Sequence, residues 1–252
     1  MDKMRNYKKR GCRIQCAIPQ FLYPRFGISP PEMGFTFLEI LVTIFIFAII
    51  ATTIFGSYNS IFSNAAEIKA DMMASEMAKS SLNRMVLDFQ SMYLSLPPAY
   101  SQPQGDQEPD PYRMVGEVTA SGGTPFARLR FASLAHLPLG STRPEGIAVI
   151  IYYVRSTRDG KYTLRRSDKL IVYGDAEEKE TDPILCENLK ALTFTYYGTE
   201  GEENDTWDSE SEDLGYSTPR AIGIKLAIGN NERIQTFETL VKLPQFREKT
   251  EK

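Results

Sequence analysis

The sequence has few residues of the kinds that cross-link a chain or bind transition metals. Its 252 residues include three cysteines and one histidine, His136. Cys12 and Cys16 lie in a basic N-terminal stretch, and Cys186 stands alone in the rest of the chain, so that part cannot form an internal disulfide. The C-x-x-x-C spacing has no second pair, which makes it a poor zinc signal. We therefore expect a fold that is held together by its core.

Catalytic motifs are also absent from the sequence. It contains no G-x-S-x-G, no H-E-x-x-H and no glycine-rich phosphate loop. His136 has no second histidine and no nearby nucleophile, and we interpret it as a surface or a satisfied structural histidine. These absences predict a protein without chemistry or a cofactor of its own.

Charge is missing from one long stretch and uneven elsewhere. No charged residue occurs from Ile40 to Ala66, and the strongly apolar part, from Phe35 to about Phe55, has the roughly 20 residues that cross a bilayer as a helix. Residues 1–34 carry seven Lys or Arg against two acids, although the whole chain has a net charge of −3. A basic segment before an apolar run predicts a cytoplasmic N-terminus. The acidic remainder argues against nucleic acid as a partner.

A helical pattern continues beyond the apolar run. Apolar residues recur at steps of three and four in two sets, which are Ile61, Ala65, Ile68 and Met72, and then Ala78, Leu82, Met85, Phe89, Met92 and Leu96. Proline cannot continue the helical hydrogen bonds, so Pro97-Pro98 ends the pattern. We expect one helix from about Phe35 to Leu96, with its amphipathic stripe against a sheet.

The rest of the chain is mostly strand by its sequence pattern: residues alternate in Ala127–Phe131, Leu192–Tyr196 and Ile222–Ile228, and Gly146–Val154 is a continuous β-prone run. The segments are Ala127–Phe131, Gly146–Val154, Lys161–Arg166, Lys169–Tyr173, Leu192–Tyr196, Ile222–Ile228 and Ile234–Leu243. Asp159-Gly160 and Gly229-Asn230-Asn231 are turn signals between them. The predicted class is α+β: a long N-terminal helix, transmembrane in its first half and amphipathic in its second, packed on an antiparallel sheet with one buried face.

The start of the apolar run carries a specific motif. Gly34-Phe35-Thr36-Phe37-Leu38-Glu39, followed by an apolar helix, resembles the cleavage and methylation motif of type IV prepilins. The resemblance implies that a membrane peptidase cuts after Gly34 and methylates the new amine of Phe35. It also implies that Glu39 pairs with the amine of a neighbouring subunit. A carboxylate near a helix start is favoured by the macrodipole, but unpaired in hydrocarbon it costs about 3 kcal/mol or more, so a partner is required.

A looser likeness covers most of the remaining chain. The segments LNRMVLDFQSM (82–92), LKALTFTYYGTEG (189–201), Thr206-Trp207-Asp208, TPRAIGIKLAI (218–228) and VKLP (241–244) resemble the J-type minor pseudopilin of type II secretion systems. The pseudopilin-like organisation that this implies is a cytoplasmic leader (1–34), a transmembrane half-helix (35–57) and a periplasmic domain (58–252). Because a leader of 34 residues is long for this class, translation could also begin at Met4 or later.

The same resemblance implies a function in assembly. The protein would be a single-pass protein of the bacterial inner membrane that forms or initiates the pseudopilus tip. Its partners would be the I-type and K-type minor pseudopilins, the major pseudopilin and the prepilin peptidase. Two alternatives stay open: a minor pilin of a type IV pilus, which shares the N-terminal motif, and a membrane-anchored periplasmic enzyme.

An acidic segment, Glu200–Asp213, contains eight acids and no basic residue. Oxygen ligands at this density could bind calcium, and the candidates are Asp205, Asp208, Glu210, Glu212 and Asp213. The spacing does not match an EF-hand loop, and a solvated loop is the other interpretation. We expect Trp207, within this segment, to anchor the loop on the body of the protein.

Overall fold

The computed structural model describes residues 34–103, 108–137, 145–174, 176–229 and 233–249. The predicted leader, with Cys12 and Cys16, lies outside the described residues except for Gly34. The chain divides into two compact units, Met1–Ser57 and Tyr58–Lys252. The class is α+β, with one long N-terminal helix followed by antiparallel strands, as predicted.

Helix α1 spans Phe37–Gln90, a length of 54 residues, and contains no proline. It ends six residues before the predicted Leu96, so that boundary was wrong. The chain forms a two-residue strand, β1 (Met92–Tyr93), opposite Ser133 and Ala132. Ser91 also accepts a hydrogen bond from the backbone N–H of Leu134 at 2.9 Å. Sheet pairing therefore replaces the last predicted turn, although Met92 keeps the buried position that the helical pattern assigns to it.

The strands form two sheets, whereas the sequence predicted one. The remaining strands are β2 (Val115–Ser121), β3 (Thr124–Ser133), β4 (Ala148–Ser156), β5 (Tyr162–Leu170), β6 (Ile184–Cys186), β7 (Leu189–Tyr197), β8 (Glu203–Asn204), β9 (Trp207–Asp208), β10 (Ala221–Gly229) and β11 (Ile234–Lys242). A seven-stranded sheet has the order β6-β5-β4-β3-β2-β9, with β1 also paired to β3, and a four-stranded sheet has the order β11-β10-β7-β8. Every pairing among the described residues is antiparallel.

The predicted hairpin at Asp159-Gly160 is confirmed. It joins β4 to β5, and Gly160 has a φ of +74°, which glycine adopts without steric cost. The predicted strand Lys169–Tyr173 is confirmed only at its start, because Ile171–Tyr173 forms a short 3-10 helix. At the second predicted turn, β10 pairs with β11, and residues 230–232 lie outside the described part.

The second set of the helical stripe forms the core, as predicted. Ala78, Leu82, Met85 and Phe89 are buried. The ring of Phe89 lies 5.2 Å from that of Phe131 in the seven-stranded sheet and 6.1 Å from that of Phe194 in the four-stranded sheet. The end of α1 therefore contacts both sheets, and complete burial of one such side chain contributes about 1.5–3 kcal/mol.

The first set of the stripe does not lie against a sheet, and that prediction was wrong. Ile61 is 65% exposed, Ile68 is 58% exposed and Met72 is 62% exposed. Among the helical side chains that the structure describes, Ala74 is the first that packs against the core. The periodicity thus marked an apolar face without showing where the sheets begin to cover it.

Candidate functional site

The peptide bond between Gly34 and Phe35 lies just before the first helical residue, Phe37. Gly34 is exposed, and no neighbouring atom lies within 4 Å of the position that a Cβ would take there. The side chain of Phe35 is 84% exposed. Among the described residues, this bond therefore lies in non-helical backbone with open space beside Gly34.

Thr36 and Glu39 form a capping box at the start of α1. The backbone N–H of Thr36 donates to Oε2 of Glu39 at 2.9 Å, and the Thr36 hydroxyl donates to the same oxygen at 3.1 Å. In return, the backbone N–H of Glu39 donates to the Thr36 hydroxyl at 3.3 Å. A reciprocal Thr-x-x-Glu arrangement satisfies two backbone donors that a helix start leaves free. Glu39 thus has a structural partner within its own chain.

The helix that follows this cap presents apolar side chains to its surroundings. The segment Phe37–Phe62 has 26 residues and is long and apolar enough to cross a membrane. None of its most apolar stretch of 18 residues is buried. Glu39 is the only charged residue in that range. The sequence prediction of a helix that could span a membrane is thereby confirmed.

The acidic segment is not arranged as a metal site. Asp205, Glu212 and Asp213 are exposed, whereas Asp208 and Glu210 are partly buried. Oδ1 of Asp208 accepts a hydrogen bond from the backbone N–H of Glu210 at 2.9 Å. Within the described ranges, no group of three or more His, Cys, Asp or Glu is placed to hold a metal ion. The structure does not bring the five calcium candidates together.

The middle of the acidic segment is buried rather than solvated. Trp207 is 1% exposed and donates from Nε1 to the carbonyl of Ser217 at 3.0 Å. Its strand pairs with β2 opposite Gly116, and Ser209 beside it is also buried. The prediction that Trp207 anchors this segment is confirmed, and the solvated-loop interpretation was wrong for these residues.

A buried arginine pairs with one carboxylate of this segment. Arg247 donates to the carbonyls of Ser209 and Tyr216, both at 2.5 Å, and to that of Ser95 at 3.1 Å. Its guanidinium lies 3.2 Å from the Glu210 carboxylate and 3.4 Å from the centre of the Tyr100 ring. Arg247 therefore joins three distant segments of the chain, and the sequence analysis did not predict it.

A second buried charge cluster joins α1 to the seven-stranded sheet. Asp88 is fully buried and accepts a hydrogen bond from the Tyr152 hydroxyl. It also accepts from Nε of Arg166 at 2.7 Å and from its Nη2 at 3.2 Å. Arg84, one turn earlier on α1, donates to Oδ1 of the same carboxylate, which also accepts Nη2 of Arg166. Arg166 in turn donates to Asp168 at 2.5 Å.

The charges in this cluster compensate one another. Burial alone lowers the pKa of Arg166, but the hydrogen bonds and charge of Asp88, followed by the charge of Asp168, raise it above its ordinary value. Burial raises the pKa of Tyr152, and the Asp88 carboxylate raises it further. Two arginines therefore face two aspartates, and Tyr152 stays protonated.

His136 lies at the edge of this cluster. Its Nδ1 is 2.6 Å from Oδ1 of Asp168, which also accepts the backbone N–H of Leu137 through Oδ2 at 2.8 Å. The interpretation of His136 as a satisfied structural histidine is confirmed. The cluster itself was missed, although Arg84 and Asp88 stand four residues apart beside the core residue Phe89.

No family model and no curated protein sequence matches the chain. A functional assignment therefore depends on the motif at the start of α1 and on the geometry around it.

Proposed function

We propose that the chain is a prepilin-like subunit, a J-type minor pseudopilin that helps to form or initiate the pseudopilus tip of a type II secretion system. The observation that carries the proposal is the exposed Gly34–Phe35 bond directly before an apolar helix with Glu39 in its first turn. A peptidase that cuts this bond would remove the leader and leave the helix on the mature chain. Methylation would follow at the amine of Phe35.

The capping box supports a specific role for the carboxylate. Phe35 lies two residues before the first helical residue, Phe37, and Glu39 lies in the first turn, so the new amine and Glu39 belong to the same end of the helix. Both hydrogen bonds from Thr36 end on Oε2, which leaves the other oxygen of Glu39 able to accept an amine. Pairing with the amine of a neighbouring subunit would then fix the stagger of adjacent helices.

The uncovered face of α1 supports assembly as the mode of action. Ile61, Ile68 and Met72 present an apolar surface next to the folded body. Such a surface is costly in water and stabilising against another apolar helix. In this proposal the helix is held in the inner membrane, with its N-terminus in the cytoplasm and the body in the periplasm. The subunit then packs with I-type and K-type minor pseudopilins and the major pseudopilin.

Mass analysis of the mature N-terminus tests the cleavage step. We expect the chain isolated from membranes to begin at Phe35 and to carry one additional methyl group. A Gly34→Leu variant should keep its leader, because the peptidase reads the residue before the cut. A wild-type chain that still carries its leader in cells with active prepilin peptidase would overturn the proposal.

A matched pair of variants separates the assembly role of Glu39 from simple capping. Glu39→Gln removes the charge, whereas Thr36→Val removes the side-chain hydrogen bonds of the cap and keeps the charge. We expect Glu39→Gln to reduce co-purification with the other minor pseudopilins at least tenfold and Thr36→Val to reduce it far less. Equal losses in both variants would mean that Glu39 only caps the helix.

The identity of the co-purified proteins tests the choice of system. Recovery of I-type and K-type minor pseudopilins supports type II secretion, and recovery of pilus subunits instead would favour the minor-pilin alternative. A hydrolytic activity lost on one polar substitution in the body would favour the enzyme alternative.

A further inference from the structure

The four-stranded sheet ends in a long strand with an open edge. β11 has nine residues and, within the described part of the chain, pairs only with β10. The other described strands at sheet ends are short: β6 has three residues, and β8 and β9 have two each. Short strands are one way in which proteins avoid unwanted pairing at sheet edges, and β11 lacks that protection.

The register shows which backbone groups of β11 face outward. Leu243 donates to the carbonyl of Arg220 at 2.8 Å, so the N–H of Leu243 points toward the strand that precedes β11 in the sheet, β10. Hydrogen-bonded and non-hydrogen-bonded pairs alternate along antiparallel strands. The residues whose N–H and C=O groups point away from β10 are therefore Ile234, Thr236, Glu238, Leu240 and Lys242.

The side chains on this edge do not prevent another strand from pairing with it. Ile234 is 59% exposed and Leu240 is 57% exposed. Glu238 forms an ion pair with Lys225 of β10 at 2.8 Å, which directs its charge back toward its own sheet. Lys242 is the only lysine of the strand and stands at its last position, and the strand has no proline. An open edge of this kind is a template for an added strand.

We propose that β11 pairs antiparallel with β11 of a second copy of this chain. One register is self-complementary: with the two Phe237 residues opposite each other, Ile234 faces Leu240 and Thr236 faces Glu238, each twice. Shifting the centre to Glu238 would place two carboxylates opposite each other and Ile234 opposite Lys242. Like charges directly opposite are destabilising, whereas cross-strand apolar pairs are stabilising. The favoured register supplies about eight backbone hydrogen bonds and joins the two four-stranded sheets into one.

Substitutions at Thr236 test the edge without disturbing the β10–β11 ladder. Thr236→Pro removes an outward N–H, which β10 does not use, and proline is tolerated at sheet edges in this orientation. Thr236→Val keeps the N–H and is the control. The full chain is purified in detergent, and its dimer dissociation constant is measured by sedimentation equilibrium. We expect Thr236→Pro to weaken the dimer at least tenfold and Thr236→Val to leave it unchanged.

Charge substitutions at the same position test the register. In the proposed pairing Thr236 faces Glu238 of the other copy, so Thr236→Lys should tighten the dimer and Thr236→Glu should weaken it, with about a tenfold difference in dissociation constant. All variants share the same α1, so association through the helix cannot produce these differences. A full-length chain that is monomeric, or a dimer insensitive to Thr236→Pro, overturns the proposal. Equal effects of lysine and glutamate overturn the register. None of these outcomes depends on cleavage at Gly34 or on any secretion partner.

Discussion

Replacing Asp88 by asparagine should destabilise the body of the protein more than any other isosteric acid-to-amide change. The carboxylate is fully buried and receives donors from Tyr152, Arg166 and Arg84. Asparagine keeps the shape but removes the charge and turns an NH₂ group toward these donors. Removing one partner of a buried ion pair costs about 3–5 kcal/mol, because the other charge remains buried.

That free energy gives a measurable shift in melting temperature. For a domain of 150–250 residues, a loss of 1 kcal/mol lowers the midpoint by about 2–4 °C, so we expect Asp88→Asn to melt about 6–20 °C below the wild type. Thermal unfolding of the full chain in detergent, followed by near-UV circular dichroism, measures the shift. Tyr152→Phe should cost about 1.5–3 kcal/mol, because it removes a hydrogen bond to a charged group. The double variant should cost less than the sum, since both changes remove the same contact.

The control is Glu76→Gln, the same chemical change at an exposed position of α1. It should alter stability by no more than about 0.5 kcal/mol. If Asp88→Asn had the same melting temperature as the Glu76→Gln control, the cluster would not hold the helix to the sheet.

Three further predictions concern packing and titration. Gly116→Ala should cost about 1–3 kcal/mol in urea unfolding, because a Cβ at this position would lie 2.0 Å from the hydroxyl oxygen of buried Tyr196; unchanged stability would mean that the ring moves freely. Burial raises the pKa of Cys186 to about 11, so its peptide should resist iodoacetamide at pH 8 in the folded protein and react in urea; equal labelling would contradict this. Burial likewise raises the pKa of Tyr100 to about 12, opposed by the charge of Arg247. Folding favours the neutral phenol, so its contribution to stability is complete below about pH 10 and is lost as the pH rises toward 12. The difference in absorbance at 295 nm between the wild type and Tyr100→Phe isolates this residue, and a difference that shows ionisation at pH 10 without unfolding would refute this.

Periodic spacing of apolar residues predicted the parts of the fold in which buried side chains recur at regular intervals along one helix or strand. The stripe from Ala78 to Phe89 is buried, and alternation located β3, β4, β7, β10 and β11. The division into two sheets was not predictable in this way, because it depends on which distant strands pair. β2 was missed since its sequence, VGEVTAS, has few large apolar residues, and β1, β8 and β9 are too short to show a period.

The sequence predicted the motif of the candidate site but not the contacts that its residues make. Gly34, Phe35 and Glu39 were located from their spacing and the apolar helix behind them. Thr36 was not recognised as a cap, although a threonine three residues before a glutamate is the pattern of a capping box. Asp88 and Arg247 were missed for a different reason: their partners lie up to 78 and 152 residues away, beyond the range of any local pattern.

The position of Arg247 has a consequence for the order in which the body can fold in time. A ribosome synthesises the chain from its N-terminus, so Ser95 emerges 152 residues before the guanidinium that it binds. During that interval the carbonyl of Ser95 has no guanidinium to bind. Contacts between such distant segments form late, because the intervening chain must first be ordered. The contacts of Arg247 can therefore close the body only after the chain has been synthesised through Arg247.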